Sequence, residues 1–403
     1  MKTNEIRLGE QCVVTSSKRF HLSERITQGV PFYCSKEIIK KFNGEDVTEC
    51  DYISEDLYKK VSNEFGVPKE NDLLITTRGT IGIPYLYKRT DRFYFADGNL
   101  TWIKDFDSNL YSKFLYYWFQ SYEGRKKFEA LAKGTAQKAV PISGIKTLEI
   151  ELPSLKSQKR IADILSAYDD LIENNQKQIK LLEEAAQRLY KVWFVDLRFP
   201  GHENTKIVDG VPEGWQWCKV RDVADINSSA LPKNYKEDFI DYVDLGSVRC
   251  GHIETRARYN LNEAPGRAKR CAKDGDIIWG MVRPNLKAYA LVTNPKETDV
   301  FSTGFAVLSA KKVPYSYLYC AVTQEEFVGY LVNATNGAAY PAVKPVHFEV
   351  ADILKPDDKV LEQFHSVADS IYRKKEALEN QNHNLRESRD LILPKLMSGE
   401  VEV

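Results

Sequence analysis

Neither sign of charge predominates: Lys plus Arg and Asp plus Glu number 57 each, so the net charge at neutral pH is zero. That excludes a uniform polycation but not DNA binding, which draws on local basic faces. The small excess of base lies within residues 1–150. Long apolar runs are missing too; none approaches the roughly 18 residues of a membrane helix, and no membrane partner is expected. The N-terminal MKTNEIRLGEQC has no apolar stretch of the signal-peptide kind. Seven cysteines stand without a CxxC spacing, which argues against a zinc ribbon and a secreted disulfide framework. A cytoplasmic protein is the expectation.

Signatures of catalysis are also lacking. No GxxxxGK[ST] loop is present, so no ATP-driven motor is expected. Amino-methyltransferases hold the target amine with an Asn/Asp-Pro-Pro-aromatic motif, and Asn294-Pro295-Lys296-Glu297 does not match it. The six histidines form no metal-ligand spacing. Asp274, Asp276 and Lys287 imitate a nuclease pattern, but one so permissive that it carries little weight. Gly79-Thr80-Ile81-Gly82 reads as a turn rather than a phosphate cradle. The expectation is a chain with no catalytic residue, no metal and no cofactor of its own.

What is present is a repeat. The chain has 403 residues, 43% of them apolar, which suits two or more domains with sizeable cores. Gly134-Thr135-Ala136-Gln137-Lys138-Ala139-Val140 aligns with Gly337-Ala338-Ala339-Tyr340-Pro341-Ala342-Val343, a shift of 203. The same shift carries Leu115-Tyr116 onto Leu318-Tyr319, Pro153 onto Pro356 and Leu182 onto Leu385. Farther upstream the match needs small adjustments, as with Asp72-Leu73-Leu74 and Asp276-Ile277-Ile278. A constant shift shared by so many matches is poorly explained by chance. In each copy a part rich in Gly, Pro, Tyr and β-branched residues predicts short strands, among them Leu73–Thr77 and Tyr242–Leu245. A helical stretch follows near 111–132 and 314–334, then the Gly134 or Gly337 loop, one more strand, and a long helix.

The long helices share a heptad register. Ile161, Leu165, Tyr168, Ile172, Asn175, Ile179, Leu182, Ala186, Leu189 and Trp193 follow alternating steps of four and three, with Asn175 the only polar member. At about 1.5 Å per residue the run spans about 50 Å. The second helix reads Phe364, Ala368, Ile371, Lys375, Leu378, Asn382, Leu385, Arg389, Ile392 and Leu396, with three polar intrusions. Antiparallel pairing would set Ile161 beside Leu396 and Asn175 opposite Asn382, a buried pair that fixes register at a cost in stability. The expected fold is mixed α/β (α+β): two globules separated by two long antiparallel coiled-coil helices, in a pseudo-two-fold tandem repeat. Two similar modules suit a two-part DNA target, as dimeric repressors suit two half-sites.

Several segments resemble those of type I restriction-modification specificity subunits. Leu152-Pro153-Ser154-Leu155, Gln158-Lys159-Arg160-Ile161-Ala162-Asp163-Ile164-Leu165, Asp169-Asp170-Leu171-Ile172-Glu173-Asn174-Asn175 and Arg188-Leu189-Tyr190-Lys191-Val192-Trp193-Phe194 are similar to the family's central conserved region. The run from Asp72 to Gly82 resembles a segment of its target recognition domains, and Leu393–Glu400 its C-terminal end. The second long helix departs from the pattern, opening with Leu361-Glu362-Gln363-Phe364. The resemblance implies target recognition domains at 1–152 and 198–355, with conserved spacer helices at 153–197 and 356–403. It implies a non-catalytic subunit that binds double-stranded DNA with a bipartite target and holds two methyltransferase subunits, through which restriction-motor subunits join. S-adenosylmethionine, ATP and Mg are expected in those partners. The other readings are a coiled-coil scaffold and a DNA-binding subunit of another restriction-type nuclease or methyltransferase.

Base edges are read by Arg, Lys, Asn and Gln, and phosphates by any donor. The DNA-binding candidates are Arg78, Thr80, Lys133, Gln137 and Lys138 in the first globule. In the second they are Arg267, Lys269, Arg270, Arg283, Asn285, Lys287, Asn336 and Tyr340, with Arg256 and Arg258 in reserve. Lys18-Arg19, Lys311-Lys312 and Arg125-Lys126-Lys127 read as ordinary surface charge. Lys159, Arg160, Gln187 and Arg188 are candidates for partner docking, and Tyr190, Trp193 and Phe194 either dock a partner or pack on their own globule. With zero net charge, the isolated chain is expected to bind DNA weakly.

Overall fold

In a computed structural model the described residues are 4–134, 138–335 and 341–403. The chain forms two compact units: residues 1–177 with 380–403, and residues 178–379. The dividing lines fall inside the two long helices, Leu155–Tyr190 and Asp358–Ser398.

The first unit opens with a strand, Asn4–Arg7, paired antiparallel to Glu149–Leu152. Its main sheet has the order Val13–Thr15, Leu100–Lys104, Leu73–Thr76, Pro84–Leu86, antiparallel throughout. A smaller sheet runs Asp51–Ile53, Val30–Tyr33, Tyr94–Phe95, the last pair parallel. Strand alternation divides the main sheet's side chains between two cores. Leu73, Ile75 and Ile103 face Phe114, Leu115, Phe119 and Phe128 of helices Ser112–Gln120 and Tyr122–Ala130. Leu74, Leu100 and Trp102 face Tyr33, Phe93 and Phe95 on the side of the smaller sheet. Ile161 and Leu165 from the first long helix and Leu393 and Leu396 from the second complete the helix-side core.

The second unit repeats this plan. Gln216–Lys219 pairs with Asp352–Lys355. The main sheet runs Ala224–Ile226, Phe305–Ala310, Ile277–Gly280, Tyr289–Leu291, and the other runs Ala257–Asn260, Phe239–Val243, Asp299–Ser302, Ala268–Arg270. Helices Tyr315–Val322, Glu325–Asn333 and Pro345–Glu349 stand a constant 203 residues after Ser112–Gln120, Tyr122–Ala130 and Ile142–Lys146. Local turns repeat as well: Asp72 accepts from Lys69 N and Asp276 from Lys273 N, both at 2.9 Å. The residue before each, Asn71 or Gly275, has positive φ (70° and 83°), a backbone position that Asn and Gly tolerate best.

Three details depart from the sequence reading. The single helical stretch expected near 111–132 and near 314–334 is two helices in each unit, because Ser121 ends one and caps the next through Gly124 N, and Thr323–Gln324 interrupt the other. The strand expected at Tyr242–Leu245 ends at Val243, where Asp244 caps a 3₁₀ turn. The first long helix ends at Tyr190 and a π-helical turn, Lys191–Val195, carries Trp193.

Every heptad position of the two helices is buried or half-buried. Within the first unit the helices run antiparallel: Ile161 and Leu396 share a core, and Asn175 Nδ2 donates to Asn382 Oδ1 at 2.9 Å. Each polar intrusion has a partner on the facing helix of its own unit. Arg389 pairs with Asp169 at 2.6 Å in the first, and Lys375 with Glu183 at 2.7 Å in the second. Tyr190 and Phe194 are buried and Trp193 packs beside them, all three against Phe364, so these aromatics serve their own unit's core.

Candidate nucleic-acid interface

In each unit the exposed loop following the third strand of the main sheet is stitched to the loop that precedes the short helix. In the first unit Arg78 and Lys133 each form a β-bridge with Ala139, and Val140 N donates to Thr77 O at 2.9 Å. Thr77 N in turn donates to Asn99 O, in the turn between Tyr94–Phe95 and Leu100–Lys104. Arg78, Thr80, Lys133 and Lys138 are thereby gathered on one loop cluster, all exposed. Gln137 lies outside the described residues. Arg125 and Lys126, expected to be plain surface charge, line a groove with Lys138 and the exposed Tyr122. Lys127 instead pairs with Glu123 at 3.0 Å.

The second unit has the matching stitch. Val282 bridges Ala342, Arg283 N donates to Pro341 O, and Val343 N donates to Met281 O. Met281 N donates to Gly304 O, and Thr303 N to Arg267 O. Arg267 is thus tied to the same cluster as Arg283, Asn285 and Lys287. Arg283 and Lys287 flank a 3₁₀ turn, Pro284–Leu286, and both have left-handed backbone, at φ 50° and 53°. Two such non-glycine residues around one exposed turn store strain of the order of 1–3 kcal/mol each, which is common where a loop must present side chains in a fixed way. Lys287 Nζ pairs with Glu325 at 2.5 Å. Lys269 and Arg270 stand apart on the edge strand Ala268–Arg270 of the unit's other four-stranded sheet, where Arg270 bridges Ala230 and keeps a buried Nε without a hydrogen-bond partner. Asn336 and Tyr340 lie outside the described residues.

Other candidates are committed elsewhere. Arg258 pairs with Asp241 at 2.9 Å, and that guanidinium holds the Asp241 carboxyl below the usual carboxylate range. Arg256 pairs with Asp299 at 3.3 Å. The nuclease-like trio is dispersed: Asp274 pairs with Arg373, Asp276 is buried, and Lys287 is on Glu325. Lys311 pairs with Asp225. Gln187 Nε2 donates to Thr323 Oγ1 within the second unit, while Lys159, Arg160 and Arg188 are exposed. Among the described residues no group of His, Cys, Asp and Glu side chains is arranged to hold a metal ion, and no helix is long and apolar enough to cross a membrane.

One cluster escaped the sequence reading. His252 stands between two carboxylates of the second unit, Nδ1 at 2.8 Å from Glu379 and Nε2 at 3.3 Å from Glu183. Lys375 Nζ, almost wholly buried, donates to Gly251 O at 2.8 Å and pairs with Glu183. Burial alone would lower the histidine pKa, but the two carboxylates override it and raise it to about 9. This network fixes the turn at Cys250–His252 onto the long helices.

Residues 3–184 match the family model for the type I restriction modification DNA specificity domain. The MjaIX specificity subunit of Methanocaldococcus jannaschii is 27% identical over 303 residues, 72% of this chain and 69% of that protein. The MjaVIII specificity subunit of the same organism is 25% identical over 86% of this chain and 83% of its own length. The chain is therefore similar to type I restriction-modification specificity subunits, and residues 3–184 carry the match to their DNA specificity domain. Its fold agrees with that of the Mycoplasma genitalium S subunit, at a TM-score of 0.62 and 16% identity, over 98% of this chain and 96% of that one.

Proposed function

We propose that this chain is a specificity subunit that reads a split duplex target, one half with each loop cluster. The observation that carries the reading is the equivalence of the two clusters. The bridge that places Arg78 and Lys138 recurs in the second unit, where it places Arg283 and Asn285. The backbone frame is the same and the side chains differ, which is what two unlike half-sites require. The shared long helices set the unread gap and offer docking surface for two methyltransferase subunits, through which restriction-motor subunits join. S-adenosylmethionine, ATP and Mg belong to those partners.

The test is single-molecule methylation sequencing of host DNA with and without the gene. A split adenine-methylated motif that disappears on deletion is expected, and it would yield both half-sites and the gap. The reading fails if the subunit, co-expressed with its methyltransferase in a methylation-free host, directs no such motif. Exchanging the second unit's cluster residues should then change one half of the motif and leave the other intact.

A further inference from the structure

The first unit carries a basic pocket. Strand Val13–Thr15 edges the main sheet, so the face that elsewhere packs against the smaller sheet is uncovered here. Val13, Thr15, Trp102 and Lys104 line a pocket of about 390 Å³ together with Ser16, Ser17, Lys18, Arg19, Phe65 and Tyr94. Three cations converge on it and no carboxylate lines it. Lys104 Nζ lies over the Trp102 ring, 4.2 Å from its centroid, and Lys18 Nζ over Phe65 at 4.6 Å. Both ammonium groups therefore sit over aromatic faces. The hydroxyl oxygens of Ser16 and Ser17 are shielded from water and have no hydrogen-bond partner. An unsatisfied buried hydroxyl is costly and uncommon, and it is relieved by a ligand that brings acceptors.

The second unit supplies the control. The sheet register sets Trp102 against Leu74 as it sets Val307 against Ile278, and Val14 against Ile103 as Ile226 against Leu308. By that register Lys104 corresponds to Ser309, Trp102 to Val307, Ser16 to Ser228 and Lys18 to Ala230. There Ser228 and Ser309 lie 3.4 Å apart, hydroxyl to hydroxyl, and Asn227 Oδ1 accepts from Val307 N. The equivalent place thus has Ser309 and Ala230 where the first unit has Lys104 and Lys18, with Asp225 at the position of Val13 paired to Lys311 and Arg270 bridging Ala230.

We propose that the first-unit pocket is a phosphate site that takes a phosphodiester of bound duplex DNA. The proposal rests on the DNA-reading function above and adds an anchor peculiar to the first unit. A phosphate brings the acceptors that Ser16 and Ser17 lack and an anion for Lys18, Arg19 and Lys104, the last of which has only a 3.8 Å pairing with Asp105. Such a contact fixes the position of the strand without reading its bases.

The experiment uses the full chain, hydrogen exchange by mass spectrometry, and two probes: inorganic phosphate and a 40-bp duplex of mixed sequence. Duplex is expected to protect the peptides around Ser16–Arg19 and Trp102–Lys104 more than the corresponding second-unit peptides around Ser228 and Ser309. Lys18→Gln with Lys104→Gln should abolish that protection and lower the slope of log affinity against log salt by roughly 0.9, the value for one lost phosphate contact. Phosphate alone should protect the same peptides at higher concentration. Protection by neither probe overturns the proposal. Protection by phosphate with an unchanged duplex salt slope in the variant also overturns it, since the site would then serve a free anion. If wild-type chain binds no duplex and directs no methylation, the proposed function itself fails, and the phosphate arm alone then decides whether the pocket is an anion site.

Discussion

The Asn175–Asn382 pair offers the sharpest test of how the long helices choose their alignment. Both side chains are almost fully buried, at 4% and 3% exposure, and they face each other across a seam that is otherwise mostly apolar. Asn175 Nδ2 donates to Asn382 Oδ1 at 2.9 Å and to Gln381 Oε1 at 3.1 Å. Replacing Asn382 by Leu removes one acceptor and leaves Asn175 with Gln381. Replacing Asn175 by Leu leaves the Asn382 amide without its seam partner. A buried amide stripped of its partner costs about 1–3 kcal/mol, so each single variant should lose about 2 kcal/mol. Replacing both removes the unsatisfied group and adds apolar burial, so the double variant should match or exceed the wild type. The coupling energy of the cycle is therefore about 4 kcal/mol in magnitude, far beyond the few tenths found for independent sites. Hydrogen exchange of helix amides near residues 168–176 reads this locally, without requiring that the two units unfold together. Additive losses, with the double variant about 4 kcal/mol worse than wild type, would refute the reasoning. The double variant should also give up definition: a seam without its polar pair admits shifted alignments, visible as exchange that is no longer uniform along the helix.

The His252 network makes the second unit sensitive to alkali. Folded His252 stays charged to about pH 9 but unfolded only to about 6.5, so its contribution is complete below pH 6.5 and is lost as pH rises through 9. With its side chain 37% exposed, that contribution is worth about 1–2 kcal/mol, and His252→Gln should flatten the profile in urea melts at pH 6 and pH 9.5. Gly124→Ala should destabilise the first unit by about 3 kcal/mol in thermal melts, because the added methyl would overlap the Trp118 carbonyl. Phe348→Ala, which empties a fully buried ring site beside Trp279, should cost about 3–5 kcal/mol in the second unit. Arg283→Ala should weaken methylation at one half-site by about 1–3 kcal/mol of discrimination in a reconstituted assay, whereas exposed Arg221→Ala should leave it unchanged.

Much of the architecture was legible because it is periodic. The 203-residue shift locates three helices of the second unit from those of the first, and alternating steps of four and three mark the seam in the sequence itself. The partners of the polar intrusions were not legible. Asp169 and Glu183 lie off the apolar register, and only the azimuth of the facing helix decides which carboxylate an inward Lys375 or Arg389 meets. The same holds for the candidate DNA-binding residues. Arg78 and Lys138 are sixty positions apart, and the bridge through Ala139 that joins their loops has no sequence signature. Lys18 and Arg19 looked like any surface pair because their setting depends on Lys104 and Trp102, which a strand pairing alone brings near. His252 was missed since a lone histidine says nothing of carboxylates from two helices more than a hundred residues apart in sequence.

The division of the chain bears on how it is made. The second unit is one continuous piece, 178–379, whereas the first draws its closing helix from the last 24 residues, 380–403. Leu393 and Leu396 are buried in the core shared with Leu8 and Ile161. On a ribosome that delivers the chain N-terminus first, the half synthesised earliest must wait with an open apolar face until the final turn emerges. The half synthesised later can close before it. Ending the chain before residue 380 would therefore spare the later-made unit and leave the earlier one unfinished, which inverts the usual expectation that truncation harms what lies nearest the cut.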